Sequence, residues 1–72
     1  MGKRDVERAV GAQQFAATLR RIADAVDKGE SFQIQVVNER FTVPATAALS
    51  IEHEAEGDGE EELELQFRWR NT

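Results

Sequence analysis

Apolar and polar residues alternate without a break from Glu62 to Trp69: Leu63, Leu65, Phe67 and Trp69 against Glu62, Glu64, Gln66 and Arg68. Strand side chains point to opposite faces with period two, so this segment predicts a strand with one buried and one wet face. The same alternation runs through Ala47–Glu56, where Ala47, Leu49 and Ile51 take the inward positions and Ser50, Glu52 and Glu54 the outward ones. Gly57-Asp58-Gly59 lies between them as a three-residue loop, with Gly59 in the left-handed position. That loop pairs Ile51 with Leu65, Leu49 with Phe67 and Ala47 with Trp69. A one-residue slip would turn the whole apolar set of the last strand to solvent, which fixes the register.

Upstream, Phe32, Ile34 and Val36 alternate with Gln33, Gln35 and Val37, and Phe41 and Val43 with Arg40 and Thr42. The inward set switches from even to odd numbers across Asn38-Glu39. A two-residue turn there predicts Val36 opposite Phe41 and Ile34 opposite Val43. Pro44 ends the second of these strands because it cannot donate to a ladder. Before them the period becomes helical. From Ala12 to Lys28, Phe15, Leu19, Ile22 and Val26 fall within about 60° of one another at 100° per residue. Gly11 is placed as N-cap, with Gln14 at the capping-box position, and Gly29 as the stop after Lys28.

These elements predict an α+β fold: one amphipathic helix packed on a four-stranded antiparallel β-meander, in the order helix-β-β-β-β and in two layers. Fifteen large apolar residues are expected inward, Trp69 among them as the aromatic that caps the core beneath the helix. Residues 1–10 form an arm, flexible or loosely extended; Val6, Arg8 and Val10 would also suit a short strand. Residues 11–72 form the single domain that 72 residues allow.

Four pieces, FAATLRRIADAVDKG, FQIQVVNERFTVP, LSIEHEAEGDGEEELELQFRW and the terminal Trp69 of the amphipathic strand, together resemble the amphi-Trp domain. The resemblance covers about residues 11–70. It implies a small prokaryotic domain without an established function, standing alone or appended to others. It implies no catalytic or ligand residues.

Charge narrows the partners. Residues 1–44 carry seven basic and six acidic groups, whereas residues 45–72 carry two basic and eight acidic, for a net −5. The acidic half repels phosphate backbones, which argues against nucleic acid. No apolar stretch nears the roughly 18 residues that span a bilayer, so no membrane partner is expected. With no cysteine, there is neither disulfide nor thiolate metal site. The N-terminus lacks the apolar run of a secretory signal, which makes the cytoplasm the expected location.

Candidate chemistry is sparse. His53, the single histidine, points inward by parity, opposite Leu63, as a rim residue of the core. Ser50 lies three positions away and therefore on the opposite face, so no triad forms. Glu54, Glu56, Asp58 and Gly59 mimic the start of a calcium loop, but Leu65 stands where a bidentate Glu is required. No catalytic, cofactor or metal residue is assigned, and no enzyme is expected.

The expected function is a non-catalytic protein-interaction or accessory module. The alternative is a small-ligand or divalent-cation site on the polar outer face of the sheet. The expected contact is the uncharged edge of strand one, Phe32, Gln33, Ile34, Gln35, Val36 and Val37, which would pair with an unknown protein partner or a second copy.

Overall fold

The structure is a computed structural model that describes residues 9–71. The expected arm of residues 1–10 therefore lies outside the described residues except for Ala9 and Val10, which have no regular structure. The chain then forms helix α1 (Ala12–Lys28) and strands β1 (Phe32–Val36), β2 (Glu39–Val43), β3 (Ala48–Ala55) and β4 (Glu61–Arg68). The α+β class and the order of one helix and four strands are as predicted.

The helix ends follow from backbone chemistry. Gly11 is the N-cap in an extended conformation, and no side chain caps this end. At the other end Gly29 adopts φ 69°. Its N–H reaches the Val26 carbonyl at 3.1 Å, and the Glu30 N–H reaches the Ala25 carbonyl at 2.9 Å. This double closure uses two of the last-turn carbonyls and requires the left-handed residue that glycine supplies without strain.

The four strands do not form one meander. They form two separate antiparallel hairpins, β1–β2 and β3–β4. After Val43, Pro44 has no N–H to give to a ladder. Its carbonyl accepts the Ala47 N–H at 3.1 Å, closing a turn from which β3 leaves without pairing with β2.

The second hairpin has the predicted register: Leu49 opposite Phe67, Ile51 opposite Leu65 and His53 opposite Leu63. The ladder stops at Ala48–Arg68, so the expected Ala47–Trp69 pair falls just beyond it. The loop is the predicted one. Glu56 and Glu60 face each other across it (N–H to carbonyl, 2.8 Å), Gly59 has φ 94°, and the Asp58 carboxylate accepts the Glu60 N–H at 3.0 Å.

The first hairpin corrects the expected register. Phe32 lies opposite Val43, Ile34 opposite Phe41 and Val36 opposite Glu39, two residues from the predicted pairing. The turn is Val37-Asn38. With the turn at Asn38-Glu39, Phe32 would fall opposite Ala45, beyond Pro44. The observed register instead uses all of Glu39–Val43 and seats Phe32 on Val43. Its cost is a β-branched residue in the left-handed region, since Val37 has φ 58°. Such strain is worth about 1–3 kcal/mol, and Val37 is 45% exposed, so little packing opposes its removal. Val37→Gly is therefore expected to stabilise the protein by about 1 kcal/mol after the entropy cost of glycine. A lower urea midpoint for this variant would show that the Val37 side chain outweighs the strain.

The core is small. Among the described residues only Ala25, Phe32 and Val43 are buried, with Ile22, Ile34, Ala47 and Phe67 packed around them. The expectation of fifteen inward-buried residues is thus overturned. One helix, about 10 Å across, lies against the first hairpin and does not cover a second, separate one. The hairpins meet through two aromatic contacts. Phe32 and Phe67 pack edge to face at 5.3 Å between ring centroids, and Phe41 and Trp69 stack at 6.2 Å.

Candidate functional site

Two faces of the second hairpin are candidates, and period two assigns their residues. The outer face carries Ser50, Glu52, Glu54, Glu62, Glu64 and Gln66. Gln66 organises it: its amide nitrogen donates to Glu52 Oε1 at 2.9 Å and Glu64 Oε1 at 3.1 Å, and the Ser50 hydroxyl donates to Gln66 Oε1 at 3.1 Å. Glu54 stands directly opposite Glu62. Carboxylate oxygens of Glu54, Glu62 and Glu64 lie within 4.8 Å of one another. The Glu62 carboxyl is consequently held above the ordinary carboxylate value, first by the charge of Glu54 and then by that of Glu64.

The sign of the linkage is fixed by that direction. A carboxyl with a raised pKa in the folded state binds its proton more readily when folded, so stability falls as pH rises through the interval between the unfolded and folded values. Glu62→Gln is expected to raise the melting temperature at pH 7, with the gain fading as the pH falls below that interval. An unchanged melting temperature at pH 7 would mean that solvent already screens the cluster.

The chemical candidates do not converge. His53 Nε2 lies 2.9 Å from Glu61 Oε1, in an exposed pair at the loop end of the hairpin. Ser50 is engaged with Gln66 on the opposite face. Asp58 is used in the loop by the Glu60 N–H.

The other face is apolar and open. Leu49, Ile51, Leu63 and Leu65 are 53–73% exposed. Beside them Phe15, Leu19 and Val26 of α1 are 40–54% exposed. Between helix and hairpin lies a groove of about 650 Å³ with Ile22, Ile34 and Phe67 in its lining, and it shares Val26, Leu65 and Phe67 with a second hollow of about 460 Å³ beside Leu49 and Ile51. The alternation of β3 and β4 gives the members of this face, but not that it lies open.

Residues 3–72 match the family model described as the Amphi-Trp domain. The chain belongs to that family. No curated protein and no solved structure matches it. The match spans the helix and all four strands of this Amphi-Trp domain, so the open groove lies within the family's own unit.

The remaining residues singled out in the sequence occupy the first hairpin and the end of the chain. In β1, Phe32 is buried, Ile34 and Val36 are half-buried, and Gln33 and Gln35 are exposed. Val37 occupies the turn. Arg21 of α1 donates to the Gln33 carbonyl at 2.6 Å, so the helix already holds part of the strand-one edge. Gln35 donates its amide to the Val37 carbonyl at 3.3 Å. Trp69, stacked on Phe41 of the first hairpin, keeps 37% of its surface accessible. Among the described residues, no helix is long and apolar enough to cross a membrane.

Proposed function

We propose that this Amphi-Trp domain is a non-catalytic protein-interaction module whose contact surface is the apolar face shared by α1 and the β3–β4 hairpin. The observation that carries this reading is the exposure of Leu49, Ile51, Leu63 and Leu65 in regular, fully registered strands. Monomeric proteins rarely leave more than a few hundred Å² of contiguous apolar surface in water, and larger patches mark contact sites. The strand-one edge, expected from the sequence to make the contact, has less to offer because Arg21 takes the Gln33 carbonyl. The cation reading of the outer face has only the acidic cluster, and two of the carboxylates on that face already accept from Gln66.

Site-specific photo-crosslinking in cells tests the reading. A crosslinker at position 51, on the apolar face, is expected to capture protein, whether another copy or a different chain. The same group at position 52, on the outer face, is expected to capture far less. Equal or absent protein adducts at position 51 sink the proposal.

A further inference from the structure

Resting on that reading, we propose that the occupant of the apolar face is a second copy of the chain. The two copies dock about a two-fold axis, the second hairpin of each closing the groove of the other.

Folding itself points to a permanent occupant. A two-stranded hairpin on its own is marginal in water, and β3–β4 shares no ladder with β1–β2. Its apolar face is mostly uncovered, and only Ala25, Phe32 and Val43 are buried among the described residues. The cover must therefore be present whenever the domain is folded. A second copy meets that condition at equal amount in every cell that makes the chain. Residues 1–8 carry too little apolar surface to serve as that cover, because Met1 and Val6 are their only large apolar residues and five of the eight are charged.

Area and shape agree. The seven open residues Leu49, Ile51, Leu63, Leu65, Phe15, Leu19 and Val26 expose on the order of 700 Å² together, taking nearly 200 Å² for a fully exposed residue, backbone included, a value inside the range for the larger aromatics. A standard interface removes roughly 800 Å² from each partner. Ile51 and Leu63 are the two most exposed of the set; Leu63 lines the groove between α1 and β4, and Ile51 lines the hollow beside it. The same surface thus carries the open groove and the exposed side chains that border it, and a two-fold contact brings that one surface of each copy against the other.

Charge permits it. The Glu52, Glu54, Glu62 and Glu64 carboxylates belong to the outer face, so face-to-face docking puts the two acidic clusters on opposite outsides of the pair. Packed sheets lie about 10 Å apart, beyond the screening length of roughly 8 Å at physiological salt. Since each copy carries net −5, salt should tighten the pair.

The wild-type full chain decides first. Sedimentation equilibrium is expected to give the mass of two copies, with a melting temperature that rises with protein concentration. Filtered NOEs in a mixture of labelled and unlabelled chains are expected from Ile51 and Leu63 methyls to Phe15 and Leu19 of the other copy. A monomer at about 1 mM, where even a weak pair would form, overturns the inference. A trimer or higher assembly overturns the two-fold arrangement.

Ile51→Glu is expected to weaken the pair at least tenfold. Should that variant fail to fold, the wild-type mass and NOEs carry the test alone. Gln35→Pro, which removes a donor from strand one, should leave the pair intact; dissociation by it alone would assign the contact to the β1 edge and overturn the proposal. Position-51 adducts to a different protein, with a monomeric wild type, would overturn self-association while leaving the interaction reading in place.

Discussion

Phe32→Ala is expected to cost about 3–5 kcal/mol, the range for removing a buried aromatic side chain. Few substitutions in this chain should do more damage. Phe32 is the largest of the three residues buried among the described ones, sits opposite Val43 and packs edge to face on Phe67. It therefore belongs at once to the first hairpin, to the core under α1 and to the contact between hairpins. A domain of this length has a total stability of about 4–11 kcal/mol at typical values per residue, so the variant should lose a large share of it and, toward the lower end of that range, be largely unfolded at 37 °C. Urea titration followed by far-ultraviolet circular dichroism measures it. A loss below about 1 kcal/mol would mean that the hairpins hold together without this contact, against the small-core account.

Trp69→Ala is expected to cost about 1–3 kcal/mol, less than a fully buried tryptophan would. More than a third of its surface is accessible, and its aromatic partner is Phe41. A stacked pair adds about 0.5–1.5 kcal/mol beyond area burial. The double-mutant cycle with Phe41→Ala should recover a coupling energy of that size. Strict additivity would mean the stack does not form in solution. A cost near 5 kcal/mol would restore Trp69 to the core proper.

Both predictions concern contacts between segments, and these were the least legible parts of the sequence. The second hairpin could be read in full because three local constraints agree there. Alternation names the faces, the parity of Leu63 and Ile51 demands an odd loop, and Gly59 supplies the positive φ that a three-residue loop needs. The helix was equally legible: one apolar stripe and a glycine stop determine Ala12–Lys28. In the first hairpin the sequence points to one register, with the turn at Asn38-Glu39, although parity is equally satisfied by the register two residues away. Asn38 favoured one turn on local preference. The structure takes the other, with Val37 at φ 58°, because Phe32 then reaches Val43 before Pro44 ends the strand. A local cost is offset by a longer ladder and a core contact, and no residue within the turn announces it.

The outer-face candidates were likewise in view from the alternation of Glu52, Glu54, Glu62 and Glu64. The role of Gln66 as the donor linking two of these carboxylates was not, since it depends on side chains 14 residues apart meeting across the ladder. The open apolar face is the sharper case. Its members were all named in the sequence as core residues, correctly as to face but not as to cover. Parity states which side of a strand a residue occupies. It says nothing of what lies over that side.

By itself, then, the sequence determined the helix and its glycine stop, the number and order of the strands, the register and loop of the second hairpin and the side on which each of its residues lies. These are set by periodicity and backbone conformational limits acting over a few residues. The tertiary structure alone decided that the strands part into two hairpins after Pro44, that Ala25, Phe32 and Val43 rather than fifteen residues form the buried centre among the described residues, and that the β3–β4 apolar face stands open beside α1. Those outcomes depend on how much area one helix can cover and on which distant aromatic rings meet, and such quantities exist only once the segments are placed together in space.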